Sequence, residues 1–207
     1  MDKDSDSGWF YKYNMKWVLF ISVGTFILSI IFSIITETSI ERLSTVISFI
    51  VLLLIIIIGI LFDTLGIAIT KAVEEPFHSM ASRKIKEANV AIRLIRNAGP
   101  VSNFCNDVVG DISGIMSGGI GTTLVFRIVQ TYNIKEATII TILMTSFIAS
   151  ITVGGKALGK SVALIHHEQI TLKMSKFIRI IEKIFNIEFF KKNKKVKRKA
   201  NKNSKEK

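Results

Sequence analysis

Cysteine is almost absent from this chain of 207 residues, which contains one, Cys105. A single thiol cannot close an internal disulfide, so an oxidised framework is excluded. Cys105 is interpreted as a small helix-packing residue, with a soft-metal ligand as the alternative. The patterns of enzymes are also lacking: we find no paired nucleophile and base and no metalloprotease motif. The run Gly118-Gly119-Ile120-Gly121 lacks the setting and the Lys-Ser/Thr ending of a phosphate-binding loop. The sequence therefore predicts a protein that is not an enzyme.

Acidic residues are scarce relative to basic ones, 16 against 28, which gives a net charge of +12. Much of the excess lies in residues 191–207, which are nearly all Lys, Arg and Asn, and which we expect to be a disordered basic tail. This tail follows an apolar helix pattern, so anionic lipid headgroups are a better partner for it than nucleic acid, at about 1 kcal/mol per basic residue. A merely solvated tail that sets topology is the alternative. No nucleic-acid partner is predicted.

Long apolar blocks are the most abundant feature, and the mean hydropathy is +0.42. A membrane-spanning helix needs roughly 20 mostly apolar residues. Four segments meet that criterion: residues 17–36, 45–70, 103–129 and 137–158. The first has no small-residue cleavage site after it, so it is predicted to be an uncleaved anchor. The predicted fold is an all-α membrane protein with four transmembrane helices, in a transmembrane domain over residues 17–163.

The basic residues of the short loops predict the orientation of these spans. Most of these basic residues lie on one side of the membrane, between the second and third spans: Lys71, Arg83, Lys84, Lys86, Arg93 and Arg96. We assign that side to the cytoplasm, together with the N-terminal segment 1–16 and the tail. The prediction is a multi-pass protein of the cell membrane with both termini in the cytoplasm.

Two further segments have the spacing of amphipathic helices. Residues 75–98 begin at an acidic pair followed by Pro76 and end before Gly99-Pro100, which predicts a cytoplasmic juxtamembrane helix. Residues 164–190 alternate apolar and basic residues, which predicts a C-terminal helix in the membrane interface.

The third span begins with acids where lipid is expected. Asp107 and Asp111 would each cost about 2.5–3.5 kcal/mol at the helix centre in a bilayer. On an α-helix, Asn103, Asp107 and Asp111 follow each other at i,i+4 and share one face. The adjoining surface is predicted to be almost bare of side chains because of Gly110, Gly114, Gly118 and Gly121.

The predicted topology brings polar groups of other spans to the same depth. Asp63 lies about 10 Å from the cytoplasmic end of the second span at 1.5 Å per residue, and Lys156 lies near the same side. Carboxylate, amide and hydroxyl oxygens suit Mg²⁺. The predicted metal ligands are Asp63, Thr64, Asn106, Asp107, Asp111 and Ser113.

Two alternatives to a cation site stay open for these residues. In one, Lys156 is an internal counter-ion that pairs with Asp63 or Asp111 and only holds helices together; in the other, the acids form a proton relay. A metal site built from His166, His167 and Glu168 is a further alternative, for which no second ligand group is evident in the sequence.

Three motifs in sequential order resemble the transmembrane domain of the CNNM/CorC/CorB family of magnesium and cobalt transport proteins. The first is Phe62-Asp63-Thr64-Leu65-Gly66-Ile67-Ala68, the second is Cys105-Asn106-Asp107-Val108-Val109-Gly110-Asp111, and the third is Gly155-Lys156-Ala157-Leu158-Gly159-Lys160. They are similar to the family's Phe-Ser-x-x-Glu-x-Ala, Gly-Asn-x-x-x-Asn and Gly-Glu-x-x-Pro-Lys motifs, and the resemblance covers about half of the chain. Lys156 stands where the family has glutamate, and Gly66 where it favours glutamate.

The resemblance implies a divalent-cation (Mg²⁺ or Co²⁺) transporter that forms a homodimer in the lipid bilayer. The chain after the fourth span is too short for the paired CBS module of full-length relatives, so regulation by bound ATP is not expected. The alternative function is a non-transporting membrane scaffold or accessory subunit whose Asp/Lys network joins helices.

Overall fold

The computed structural model describes residues 15–134 and 137–185, and all regular structure in these two ranges is helical. The predicted N-terminal segment and basic tail lie almost wholly outside them. The elements in chain order are α1 (Met15–Glu41), α2 (Thr45–Lys71), α3 (Glu75–Ser82), α4 (Lys86–Arg96), α5 (Ala98–Asn103), a π-helical segment (Phe104–Gly110), α6 (Asp111–Tyr132) and α7 (Ala137–Phe185).

Four helical stretches are long and apolar enough to cross a membrane: Val18–Ile40, Thr45–Lys71, Ala98–Tyr132 and Ala137–Ile184. Large apolar side chains are exposed along them, such as Phe20 on α1 and Val153 on α7. Exposure on this scale marks surfaces that meet lipid or a partner. The prediction of an all-helical protein with four candidate transmembrane helices is confirmed, and the fold is consistent with a membrane protein.

The third and fourth helical stretches are longer than the predicted spans 103–129 and 137–158. The third begins at Ala98, passes through the π-helical segment and ends at Tyr132, where Asn133 adopts a left-handed conformation with φ 49°. The fourth continues to Phe185, interrupted at His166 by non-helical dihedral angles (φ −112°, ψ 25°). The amphipathic segment predicted over 164–190 therefore follows the fourth span without a loop, and its described part ends at Phe185.

The juxtamembrane helix predicted over residues 75–98 is two helices, α3 and α4, joined by a turn in which Lys84 has φ 63°. The turn contains neither glycine nor proline, so the helical spacing in the sequence runs through it without a signal. Folding back allows both helices to bury their apolar faces, with Phe77, Ala88 and Ala91 fully buried. Pro100 lies in the first turn of α5, where a missing N–H costs least.

The chain divides into two compact units. Unit 1 comprises Met1–Phe62 and Asn106–Ala157, and unit 2 comprises Asp63–Cys105 and Leu158–Lys207. The apolar core of unit 1 is formed by residues of α1, α2, α6 and α7: Ile40, Leu52, Ile56, Ile120, Leu124 and Ile148. The core of unit 2 joins the end of α2 to α3 and α4, and Leu172 of α7 packs against it; its buried members are Ala72, Phe77, Ala88, Ala91 and Ile92.

Close approach at one crossing in unit 1 depends on glycine. A Cβ placed on Gly59 of α2 would lie 2.9 Å from Cβ of Ser113 on α6. That distance is below a van der Waals contact, and neither atom can rotate away, so α2 and α6 pack at this spacing only because residue 59 has no side chain.

Arg127 fastens the connection between α1 and α2 within unit 1. Its guanidinium donates hydrogen bonds of 2.5 Å to the carbonyl oxygens of Ile40 and Leu43, and one of 3.5 Å to Oγ of Ser48. These carbonyls lie at and just beyond the C-terminal end of α1, where the last C=O groups of a helix have no intrahelical N–H donor. One arginine of α6 thus satisfies acceptors at the turn into α2 and adds a favourable positive charge there.

Candidate cation site and charged pairs

The predicted ligands, together with the predicted counter-ion Lys156, fall into both units of the chain. Asn106, Asp107, Asp111, Ser113 and Lys156 belong to unit 1, whereas Asp63 and Thr64 belong to unit 2 and are half-buried on α2. That Asp63 lies beside the acids of the third span stays a prediction. Within unit 1, the structure brings Lys156 next to Asp111 and places it with Ser113 around a small cavity.

Lys156 and Asp111 form a long ion pair between two candidate membrane helices. The distance from Nζ of Lys156 to Oδ1 of Asp111 is 4.0 Å, and 68% of the Asp111 side chain is exposed against 30% for Lys156. A pair at this distance with an exposed carboxylate contributes between about 0 and 1 kcal/mol to stability. The lysine is therefore close enough to balance the charge of Asp111 but holds it weakly.

The π-helical segment does not separate the three polar residues that the sequence places on one face. Hydrogen bonds in a π-helix run from i to i+5, so one turn takes slightly more than four residues and a spacing of four still returns close to the same side. Asn103, Asp107 and Asp111 are accordingly all exposed, while Asn106 is half-buried. Because a carboxylate is costly in hydrocarbon, we expect Asp107 and Asp111 to meet water, headgroups, an ion or a partner. Segments of this kind within helices often mark functional sites.

The four glycines that predict a surface almost bare of side chains do not all lie on the same side of the helix. Gly110 and Gly121 are buried, and a Cβ on Gly121 would meet the side chain of Ile148. Gly114 and Gly118 are exposed, and a methyl group added at either position would have nothing within 4 Å of it. Only the second pair, at a spacing of four residues, is available to another helix.

Ser113 is buried and its hydroxyl is already engaged. Oγ donates a hydrogen bond of 2.7 Å to the carbonyl oxygen of Val109, one turn earlier. The oxygen keeps lone pairs that can accept or coordinate. Ser113 nevertheless serves first as a small contact residue against Gly59, as the close approach of the two helices requires.

A cavity of about 10 Å³ lies next to the Lys156 side chain in unit 1. That is roughly the space of one water molecule. Small and hydroxyl-bearing residues predominate in its walls, which are formed by Ile56, Gly59, Ile60, Gly110, Ser113, Gly114, Ser117, Thr152 and Lys156. The cavity gives the lysine ammonium a polar neighbourhood between helices.

No group of three or more His, Cys, Asp or Glu side chains within the described ranges is arranged to hold a metal ion. Mg²⁺ does not require such a group, since it commonly binds through one or two carboxylates and keeps several waters. Asp107 and Asp111, with amide and carbonyl oxygens of the π-helical segment, are donors of the type that this ion accepts. Cys105 is 1% exposed, which agrees with a helix-packing role.

Unit 2 contains close ion pairs that the sequence pattern did not reveal. Arg93 of α4 donates a hydrogen bond to Glu182 of α7 at 2.8 Å, and Arg179 of α7 donates one to Glu87 of α4. Each helix thus supplies the arginine of one pair and the glutamate of the other. In the first pair the two residues are 89 positions apart in the chain, and in the second they are 92 positions apart. Sequence alone offers no signal for such distant partners beyond the amphipathic spacing of both helices.

Glu74 receives hydrogen bonds from two basic residues. Nη2 of Arg96 lies 2.8 Å from Oε2 of Glu74, and Nε2 of His78 lies 3.0 Å from the same oxygen. The bond from the Arg96 guanidinium lowers the pKa of Glu74 below its usual value, and the same bond raises the pKa of Arg96. Glu74 is thus a structural partner of Arg96 and His78.

Within residues 15–134 and 137–185, these features define a helical protein with four helices that are long and apolar enough to cross a membrane, and with a weakly held carboxylate–ammonium pair between two of them. No family model matches the chain, and neither a curated protein nor a solved structure matches it. The similarity to the CNNM/CorC/CorB family therefore depends on the three short motifs and stays a prediction.

Proposed function

We propose that the protein is a divalent-cation transporter of the Mg²⁺/Co²⁺ type. The observation that carries the proposal is the long Lys156–Asp111 pair beside a water-sized cavity between candidate membrane helices. Lys156 then acts as a tethered counter-ion: it compensates Asp111 when no ion is present and withdraws when a divalent cation approaches. A fixed close pair would not be exchangeable in this way.

Charge neutrality supports an exchange of this kind. Asp107 and Asp111 together carry two negative charges, which one Mg²⁺ balances completely, whereas Lys156 balances only one. Mg²⁺ keeps most of its waters and needs few protein ligands. Exposed carboxylates of the third span allow a partly hydrated ion to arrive without full dehydration, with Asn106 and Ser113 as the further proposed oxygen ligands within unit 1. The roles of Asp63 and Thr64 as ligands stay predictions from the sequence.

The surroundings proposed for this site follow from the sequence. Both termini lie in the cytoplasm, the cation enters from that side, and the basic tail meets anionic lipid headgroups. Gly114, Gly118 and Thr122 form an exposed stripe on α6 at intervals of four residues, which suits close contact with the same helix of a second copy. A homodimer would cover that stripe.

Flux of Mg²⁺ into proteoliposomes tests this function. The combined substitution Asp107→Asn and Asp111→Asn keeps the shape of both side chains and removes both charges, so flux should fall by at least about tenfold, which corresponds to 1.4 kcal/mol. Glu75→Gln, an exposed acid outside the site, is the matched control and should leave flux unchanged. Equal flux in the double variant and the native protein would refute the proposal.

A non-transporting scaffold is the second candidate, because the Lys156–Asp111 pair is already neutral without any added ion. In that case Lys156→Met leaves an uncompensated carboxylate and destabilises the protein, and the further change Asp111→Asn restores it. Coupling of the two substitutions in unfolding experiments, without any Mg²⁺ flux in the native protein, would favour the scaffold.

A further inference from the structure

The C-terminal part of α7, from His167 to the end of the helix, is fastened to unit 2 along one side. Leu172 packs against the core of α3 and α4, and Thr171 and Ser175 are fully buried. Arg179 and Glu182 are held by the ion pairs with Glu87 and Arg93. Contacts at four successive turns fix the rotation of this segment about its own axis.

The opposite side of the same segment is apolar and uncovered. Phe177 is 63% exposed, Ile180 is 49% exposed and Ile184 is 70% exposed. Their spacing of three and four residues places them in one stripe along the helix. Because the ion pairs and the Leu172 contact prevent rotation, these three side chains cannot turn inward, and something outside the unit must cover them.

The charge around the stripe is of one sign. Lys173, Lys176 and Lys183 are exposed beside it. The nearby acids already have other surroundings: Glu182 is paired with Arg93, Glu87, which lies near Lys176, is paired with Arg179, and Glu168 is half-buried. Two copies of this face brought together would place lysines opposite lysines, which is unfavourable. The complementary surface is an acidic one with an apolar layer beneath it.

We propose that this face, defined by Lys173, Lys176, Phe177, Ile180, Lys183 and Ile184, binds an anionic lipid surface. The ammonium groups contact phosphate-bearing headgroups, and the three apolar side chains enter the boundary between headgroups and acyl chains, as amphipathic helices of this composition do. Non-helical dihedral angles at His166 interrupt the helix directly before this segment. The inference is independent of cation transport.

Depth-dependent fluorescence quenching tests the proposal on the full chain. An environment-sensitive probe is attached at Phe177→Cys in a Cys105→Ser background, and the protein is reconstituted in nanodiscs that contain lipid with a quencher near the headgroup. Quenching should be strong with phosphatidylglycerol and weak with phosphatidylcholine alone. Combined Lys173→Gln, Lys176→Gln and Lys183→Gln should weaken association by about fivefold per lysine.

A matched variant distinguishes the effect of these three lysines from the effect of lowering the net charge of the protein. Lys71→Gln, Lys84→Gln and Lys86→Gln remove the same charge from other exposed positions of unit 2 and should leave quenching unchanged. All substituted lysines are exposed, so folding should not suffer. Quenching that is equal in both lipids and insensitive to the first three lysines would overturn the proposal, as would probe-to-probe contact between two copies in place of quenching.

Discussion

Unit 1 and unit 2 use charge in opposite ways. In unit 2, Arg93 and Glu182 lie 2.8 Å apart with side chains 19% and 12% exposed. In unit 1, Lys156 and Asp111 are 4.0 Å apart and the acid is mostly exposed. Close, partly buried pairs hold helices together, whereas a long exposed pair holds little and leaves both groups available for other partners.

Unit 1 compensates for the weak pair by other contacts. Its helices approach closely at Gly59, and Arg127 bonds two backbone carbonyls at the turn from α1 to α2. The Asp111–Lys156 pair can therefore exchange partners without loosening the unit. The following predictions test this division between charges that stabilise and charges that function.

The largest loss of stability is expected for Arg127→Ala. Two carbonyls lose a charged donor, and hydrogen bonds to charged groups contribute about 1.5–3 kcal/mol each, so we expect about 3 kcal/mol. Unfolding in detergent, followed by circular dichroism, measures it. Arg127→Lys keeps the charge but cannot serve both carbonyls, and should lose about half as much. A change below about 0.5 kcal/mol for Arg127→Ala, the range of neutral surface changes, would contradict the role of this residue.

Gly59→Ala should destabilise unit 1 by about 1–3 kcal/mol, as overpacking does. The added methyl group meets Cβ of Ser113 at 2.9 Å and forces α2 away from α6. The same unfolding experiment applies. Gly24→Ala adds the identical methyl group to another helix at a position with nothing within 4 Å and is the control; equal stability of both variants would show that the close crossing is unimportant.

Arg93 and Glu182 should be energetically coupled in unit 2. A double-mutant cycle with Arg93→Ala and Glu182→Ala is expected to give a coupling energy of about 1 kcal/mol, since both side chains are mostly buried and in contact. The corresponding cycle for Lys156→Met and Asp111→Asn should give less than about 0.5 kcal/mol. Similar values for the two cycles would remove the contrast between the units.

Acid should weaken unit 2 through Glu74. Its pKa is lowered in the folded protein by the hydrogen bond from Arg96, so the stabilisation is present above the ordinary glutamate pKa and is lost as the pH falls through the lowered value. The free energy of unfolding of the native protein should decline below about pH 4.5 more steeply than that of Glu74→Gln. Parallel pH profiles would show that Glu74 contributes nothing.

The sequence predicted the helical membrane fold because long apolar runs report directly on spans. It did not predict the turn at Lys84, since the apolar spacing from Phe77 to Ile95 continues across it. Nor did it predict the π-helical segment, because a widened turn leaves no mark in the composition. Boundaries were least predictable where one helix continues beyond the predicted span, as after residue 158.

The candidate site was predictable only in part. Asp111 and Lys156 were recognised as possible partners because charges within spans are costly and few. Arg127 was visible as a charge at the end of a span, but its carbonyl partners depend on how the α1–α2 turn folds. The ion pairs of Glu87 and Arg93 join residues far apart in the chain, and only the packing of α7 on α4 selects them.

Calorimetric titration of Mg²⁺ into the purified protein tests the central claim most directly. If Lys156 is a tethered counter-ion, Lys156→Met removes the competing cation and should bind Mg²⁺ about tenfold more tightly than the native protein, a difference of 1.4 kcal/mol. Asp111→Asn should bind it more weakly. Unchanged affinity in Lys156→Met, or no binding heat in any variant, would contradict the account.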